Sequence, residues 1–359
     1  MSGQIDAFTY DALPARVAMG AGKREEVAAE VGRLGCTRPL IVTTREQAAL
    51  GDDVARQFDA GSTTLFAGAA MHTPWDVTQR ALDAAQSARA DCVVAIGGGS
   101  SIGLSKAIAL RTKLPQIVLP TTYAGSEVTP IIGETRDGQK HTQRTLEVLP
   151  EVVIYDVELT LSLPVALSIA SGLNAIAHAI EALYAADANP VTSLMAEEGI
   201  AALRESLPRI VHSPKSVEAR RLAQYGAWLC GICLGTVGMG LHHKICHVLG
   251  GTFDLQHAQT HAVLIPHVVA YNAHATPQAM ARIARALNAR HAWTGLYELA
   301  VELDAPRSLE ALGMPESGID RAVELIMQNT YSNPHAPDAH ALGHMLRQAW
   351  KGVPPEPME

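Results

Sequence analysis

The chain has 359 residues, 48% of them hydrophobic and 18% charged, with a formal net charge of −8. Such a chain builds a large globular core and is long enough for two of them, so two domains are expected. The negative balance, with no Lys- or Arg-rich run, excludes a nucleic-acid surface, which needs a clustered cationic face, and an anionic ligand must be held by local donors against the overall field. The opening "MSGQIDAFTYDALPARV" lacks the basic and apolar regions of a secretory signal, and no stretch of about 20 residues is uninterruptedly apolar, so a cytoplasmic protein without a membrane span is expected. The cysteines are Cys36, Cys92, Cys230, Cys233 and Cys246. Cys230 and Cys233 form a CxxC in an apolar helical stretch with no second CxxC to complete a zinc site, and they read as small buried hydrophobes in a reduced protein.

In chain order, "VAMGAGKREEVAAEV" (17–31) puts the turn Gly20–Ala21–Gly22 ahead of a helix. "RPLIVTT" (38–44) and "TTLFAG" (63–68) read as strands, followed by the helical "TPWDVTQRALDAAQSARA". "DCVVAIGGGSS" (91–101) is a buried strand running into glycines, "PQIVLPTT" (115–122) is another, and "EVVIYDVEL" (151–159) closes the series. Strands alternating with helices predict βαβ units and a largely parallel sheet, with ligands at the carboxyl ends of the strands. Beyond about residue 160, Ala- and Leu-rich segments such as "ALSIASGLNAIAHAIEALYAAD" replace the β-branched runs and predict a helical domain. Residues 1–160 are thus expected to form an α/β dinucleotide-binding domain and residues 161–359 an all-helical catalytic domain, with the active site in the cleft between them.

Three loops of small residues lie in the first half. Gly97, Gly98 and Gly99 end a strand, and Ser100 and Ser101 open a helix whose free N–H groups and positive dipole end suit a pyrophosphate. The spacing is neither GxGxxG nor GxxxxGK[ST], and a tight strand-to-helix turn without a ligand has the same sequence. "LPTTYAGSEVTP" (119–130) adds Thr121, Thr122, Tyr123, Gly125 and Ser126. With Gly20 and Gly22, the three loops suggest an extended dinucleotide track. In the second half, "GLHHKICHVLGGTFDLQHAQTHAVLIPH" (240–267) holds six of the chain's 15 histidines, a density that suits either a metal site or imidazoles acting in a metal's place.

GGGS after one strand, PTT…GSEVT after the next, the Asn-xxx-His-Ala-Ile-Glu helix and H-xxx-H-x-LGG…H…H-A…PH together resemble the iron-containing alcohol dehydrogenase superfamily over almost the whole chain. Within it, "PTTYAGSEVTP", "LNAIAHAIEALYAADANPV" and "MGLHHKICHVLGGT" resemble the maleylacetate reductase family. The resemblance implies the dehydroquinate synthase-like fold, an α/β dinucleotide-binding domain followed by an all-α domain. It implies a nicotinamide cofactor held by Gly97, Gly98, Gly99 and Ser100, with Thr121, Thr122 and Ser126 nearby, Lys106 on the same helix, and Gly20 and Gly22 at the early turn. It implies a homodimer as well. Relatives that prefer NADH carry an acidic residue where this chain has Thr44, followed by Arg45; losing that carboxylate removes repulsion against a 2′-phosphate, so use of both NADH and NADPH is expected.

The metal ligands of relatives, one Asp and three His, correspond here to Asn174, His178, His243 and His257. Asn174 and His178 are four apart on a helix, as are His243 and His247. A neutral asparagine weakens the case for a dication, although His178, His243 and His257 remain a possible three-histidine set. The expected reaction is NAD(P)H-dependent reduction of the C=C bond of maleylacetate, an unsaturated dicarboxylate, to 3-oxoadipate, in the degradation of aromatic compounds and without a required divalent metal. His178, His243, His247 and His257 are the candidate donors and acids; Asn174 would bind substrate or fix a tautomer, and Tyr123 would line the site. Lys244, Lys140 and Arg144 are candidate partners of the substrate carboxylates, and the family's NPR is here "SNPHAP", with His335. His242, His261, His267 and His274 read as structural or surface residues. The competing readings are a metal-dependent alcohol dehydrogenase acting on a small alcohol or aldehyde, a lyase resembling dehydroquinate synthase, and a non-catalytic dinucleotide sensor.

Overall fold

The computed structural model describes residues 7–13, 15–328 and 331–357. The chain divides into two compact units, one of Ala12–Leu163 and one that begins at Pro164 and also takes in the described residues 7–11, which the sequence reading places in the α/β domain.

The α/β unit contains, in order, β1 (Arg16–Gly20), α1 (Val27–Arg33), β2 (Pro39–Val42), α2 (Ala48–Ala55), β3 (Thr64–Phe66), α3 (Trp75–Ser87), β4 (Cys92–Gly97), α4 (Gly99–Thr112), β5 (Gln116–Pro120), β6 (Ile131–Arg136), β7 (Gln139–Arg144) and β8 (Val152–Asp156). Six of these strands form a parallel sheet in the order β1-β8-β5-β4-β2-β3. Strands β2, β4, β5 and β8 are buried at every position, as a sheet covered on both faces requires. Alternation sorts their side chains: Ile41, Val94, Ile96, Ile117 and Ile154 pack with Val27, Val31 and Val54, whereas Leu40, Val42 and Val93 pack with Ala81, Leu104 and Ile108. The chain runs from β2 outward to β3, then crosses back to place β4 on the other flank of β2. The carboxyl ends of β2 and β4 therefore flank the point where strand order reverses, the usual crevice for a nucleotide.

Two elements go beyond the sequence reading. Arg16–Gly20, read only as a glycine turn, is edge strand β1, five residues long and only partly buried. The segment holding Lys140 and Arg144, read as a source of positive charge, is the second strand of an antiparallel hairpin. Its turn, Asp137–Gly138, has φ of 52° and 73°, the left-handed pair that a two-residue hairpin loop of the Asp-Gly type demands.

The helical unit contains α5 (Val165–Leu183), α6 (Pro190–His212), α7 (Val217–Thr236), α8 (Leu241–Phe253), α9 (His257–Asn272), α10 (Pro277–Ala286), α11 (Ala292–Glu302), α12 (Gly318–Gln328) and α13 (Ala339–Lys351). Helix α5 is long and apolar enough by composition to cross a membrane, but 78% of its apolar window is buried inside the protein, where it packs against α6, α7 and α9. It is the core helix of this unit. Asn189 caps α6 reciprocally with Thr192, and Pro190 occupies the first turn, where its missing N–H costs nothing. The core of α8, α9, α12 and α13 includes Ile245, Leu249, Val268, Ile326 and Leu346. It fixes the pitch at which α8 presents its histidines.

Candidate active site

The α/β unit offers an open helix N-terminus. Gly98 precedes α4 without any side-chain cap, leaving the first N–H groups of that helix free for an anion. Gly97 has φ of 145°, and a Cβ there would lie 2.5 Å from Ser101 Oγ. A Cβ at Gly98 would lie 2.9 Å from Thr122 Cγ2, whereas one at Gly99 would meet nothing within 4 Å. The first two glycines thus allow the loop to pack on its neighbours, and the third leaves the approach open. Thr121 N donates to Gly97 O (3.1 Å), and Gln47 Nε2 donates to Thr121 Oγ1 (2.9 Å). The loops after β2, β4 and β5 are therefore one bonded assembly, with Thr44 at the start of the turn that carries Arg45 and Gln47.

Two of the expected cofactor residues are otherwise engaged. Lys106 is fully buried, and its Nζ donates to Ser126 O (2.6 Å), Thr129 O (2.7 Å), Thr129 Oγ1 (3.0 Å) and Ile131 O (2.8 Å). Burial pushes its pKa down to about 7, and nearby Glu127 opposes that shift. The ammonium thus anchors the 126–131 loop from below. Tyr155, which donates to Glu127 Oε1 at 2.9 Å, extends the same buried anchor. At the early turn, Gly22 N donates to Asp156 Oδ1 (3.1 Å) and Arg24 N to Asp156 Oδ2 (3.0 Å), so an internal carboxylate occupies that N–H nest. Tyr123 is fully buried.

The histidines gather in the helical unit. Asn174, His178 and Glu181 recur at spacings of four and three along α5 and so share one face. Glu181 is buried; Oε1 accepts from His242 N (2.8 Å), and Oε2 pairs with His243 Nδ1. His243 Nε2 in turn lies 2.9 Å from His178 Nδ1. A carboxylate accepts only, so His243 carries its proton on Nδ1, and when neutral its Nε2 lone pair accepts from His178 Nδ1–H. Glu181, His243 and His178 thus form a directed hydrogen-bond chain within the protein interior. Asn174 Oδ1 is buried and makes no hydrogen bond within the protein.

His247 and His257 are exposed, their rings stacked with centroids 6.0 Å apart, and His243 lies 6.3 Å from His247. His242 and His261, read from sequence as structural or surface residues, are fully buried beside the chain, His242 Nε2 lying 2.9 Å from His261 Nδ1. Burial holds both well below the ordinary histidine pKa. His267 is buried elsewhere on α9, and His274 is exposed. Glu181 belongs to this cluster although the sequence reading did not single it out; it stands three residues after His178 in the same helix. Lys244 lies over the Tyr331 ring at 5.6 Å, and the His335 ring packs edge-on to Tyr271 at 4.7 Å.

Residues 14–157 match the model of the iron-containing alcohol dehydrogenases, and residues 168–350 match the C-terminal model of the Fe-containing alcohol dehydrogenase family. The chain belongs to the iron-containing alcohol dehydrogenase family. Within this family it is 52% identical to a maleylacetate reductase of Rhizobium sp., over 98% of this chain and all of that one, and 52% identical to a maleylacetate reductase of Sphingobium indicum, over 97% and 99%. The crystal structure of maleylacetate reductase from Agrobacterium tumefaciens superposes with a TM-score of 0.95 at 50% identity, covering 98% of this chain and all of that one. A 1,3-propanediol oxidoreductase superposes with a TM-score of 0.90 at 26% identity.

The iron implied by the family name would meet a weakened donor set here. Asn174, at the position where the family resemblance implies an anionic ligand, has a neutral carbonyl that offers no charge to offset a dication. Among the described residues, His178, His243 and His257 are not one of the groups whose donor atoms lie within 4.8 Å of one another.

Proposed function

We propose that this protein is a maleylacetate reductase, transferring hydride from a reduced nicotinamide to the C=C bond of maleylacetate and giving 3-oxoadipate. The full-length identity of about half to reductases of that name supports the substrate. The chain Glu181–His243–His178 carries the mechanistic reading. The substrate's double bond is conjugated with a ketone. Hydride attacks the carbon β to that ketone, the π electrons move toward the ketone, and an enolate forms. A proton then joins the α carbon, so that reduced nicotinamide, one proton and substrate yield oxidised nicotinamide and product.

We assign His178 as terminal donor to the enolate. With His243 protonated beside Glu181, its Nε2–H donates to His178 Nδ1, and His178 Nε2–H donates to the substrate. One good donor aimed at a developing oxyanion contributes roughly 3–4 kcal/mol. When His178 releases its Nε2 proton it takes the proton of His243 at Nδ1, and the pair ends neutral with Glu181 still ionised. A protonated imidazole is a suitable acid near neutral pH. His247 and His257 offer N–H donors to the substrate carboxylates, and Asn174 Oδ1 accepts from a bound water or substrate. No divalent metal takes part.

The nicotinamide's pyrophosphate would rest on the N–H groups of Gly99 and Ser100, with Thr121 and Thr122 alongside. Thr44 and Arg45 would meet the adenosine ribose, and both NADH and NADPH would serve. Lys106 acts on the cofactor indirectly, by shaping the Ser126 loop. The deciding experiment is oxidation of NADH by fresh maleylacetate, with protein dialysed against chelator and assayed for residual metal. Full turnover without metal is expected. Turnover only after iron or zinc is restored would overturn the acid–base reading, and oxidation of small alcohols without maleylacetate reduction would return the protein to the dehydrogenases.

A further inference from the structure

Beside the proton chain lies a second group of donors that the reaction does not use. His242 and Cys246 are one helical turn apart on α8, and His261 faces them from α9. His242 Nε2 lies 2.9 Å from His261 Nδ1 and 3.7 Å from Cys246 Sγ, and the three ligand atoms all lie within 4.8 Å of one another. All three side chains are fully buried. His242 Nδ1 and His261 Nε2, the nitrogens turned away from this contact, make no hydrogen bond within the protein. A single shared proton is therefore all that these two imidazoles gain from each other, a poor return for burying both.

We propose that His242 Nε2, His261 Nδ1 and Cys246 Sγ form a binding site for a soft monovalent d10 metal ion, Cu(I), separate from the donor positions that the family resemblance implies. The donor set is one thiol, the soft ligand that selects Cu(I), and two neutral imidazoles, which also suit copper. At typical metal distances of about 2.0 Å to nitrogen and 2.3 Å to sulfur, a trigonal ion holds N and S about 3.7 Å apart, the separation already present here. The two nitrogens need only part by about 0.6 Å from their 2.9 Å contact to reach trigonal spacing.

Loading is balanced: the thiol proton leaves as the metal–sulfur bond forms, the proton that the two imidazoles share moves to the outward nitrogen of the ring that carried it, and both rings stay neutral. Cu(I), thiolate and two neutral rings sum to zero charge. Zn(II) would leave the same three ligands with an uncompensated positive charge and an unfilled fourth position. Exposed His257 lies 4.4 Å from His261, centroid to centroid, and stacks on exposed His247, so an ion is expected to reach the site past these rings.

The test is an anaerobic titration of the reduced full chain with Cu(I) buffered by a chromogenic chelator, followed by X-ray absorption of the loaded protein. One equivalent is expected to leave the chelator, with one sulfur and two nitrogen neighbours around the copper. Cys246→Ser and His261→Asn are each expected to weaken binding by at least about a hundredfold, whereas His257→Asn slows loading and leaves the affinity unchanged. Failure to compete with the chelator overturns the proposal. So does a copper shell without sulfur in the unmodified protein, a result independent of how the variants fold. Loss of binding in His257→Asn but not in Cys246→Ser would place copper on the family's own ligand positions instead.

Discussion

Replacing Glu181 by glutamine isolates the proton chain, because the amide keeps the size of the side chain and removes its charge. Glu181 accepts from His242 N at 2.8 Å through Oε1 and pairs with His243 Nδ1 through Oε2. If the glutamine oxygen faces His243, its NH2 group confronts the His242 N–H, two donors in contact. The amide therefore settles with its oxygen on His242 N and its NH2 on His243 Nδ1. His243 must then present a lone pair at Nδ1 and its proton at Nε2, and it cannot release that proton without becoming an imidazolate. Losing the charge-assisted bond alone removes about 1.5–3 kcal/mol of support for the imidazolium.

Adding the tautomer lock, kcat is expected to fall by about a hundredfold to ten-thousandfold, the upper figure being the loss produced by the corresponding amide in a serine-protease triad. KM should change little. The assay is steady-state NADH oxidation by maleylacetate in H2O and D2O, with NADH and its 4-deuterated form. The solvent isotope effect should grow and the deuteride effect shrink as protonation becomes limiting. Glu181→Asp, which keeps the carboxylate, should recover part of the rate. A kcat within about threefold of the parent, less than 1 kcal/mol in barrier, with unchanged isotope effects would refute the chain as the proton source.

Three further outcomes are expected. Asn174→Asp adds a carboxylate beside the imidazoles, so the variant should retain divalent metal through dialysis and lose reductase activity; metal content and turnover equal to the parent would count against the reading of Asn174. Arg45→Ala should lower kcat/KM for NADPH about 10–100-fold relative to NADH if the guanidinium pairs with a 2′-phosphate, and an equal loss for both cofactors would remove Arg45 from that role. His267 is buried, with neither ring nitrogen hydrogen-bonded within the protein, and burial pushes its pKa from 6.5 down to about 4. Between those values the unfolded chain binds the proton and the folded chain does not, so stability is lost as pH falls from 6.5 and the loss levels off below about 4. The full loss is about 3 kcal/mol, and His267→Leu should remove it, as urea midpoints at neutral pH and at about pH 4.5 would report.

The parallel sheet was legible because β2, β4 and β5 are short apolar runs rich in Val and Ile that lead into glycine or threonine, too short for a helix and bounded by turn residues. β1 was not, since an edge strand of five partly buried residues carries no such run. The hairpin of β6 and β7 was signalled by Asp137–Gly138 but masked by the charged and polar residues around it. In the site, His178, His243 and Asn174 followed from helical spacing and resemblance. The pairing of His242 with His261 joins residues nineteen apart on different helices, and no periodicity encodes that. Lys106 shows the same limit from the other side. A lysine in the second turn after a glycine loop suggests a phosphate ligand, yet its acceptors, Ser126 O, Thr129 O and Ile131 O, are contributed by a loop beyond the next strand.

Charge explains why asparagine suits position 174 when no metal is present. Glu181 is a buried carboxylate, and its partner is the proton that His243 and His178 share. An aspartate at 174 would add a second buried negative charge, and without a dication only a further proton could neutralise it. An unpaired buried charge costs several kcal/mol, and the added carboxylate would compete with His243 for His178, interrupting the bond at 2.9 Å that links the two rings. Asparagine keeps the shape and an acceptor while leaving the cluster with one carboxylate and one transferable proton. That stoichiometry suits the single protonation per turnover of the proposed reaction. A metal at the positions implied by the resemblance would displace the His178–His243 bond, because it would need the His243 nitrogen that the bond uses.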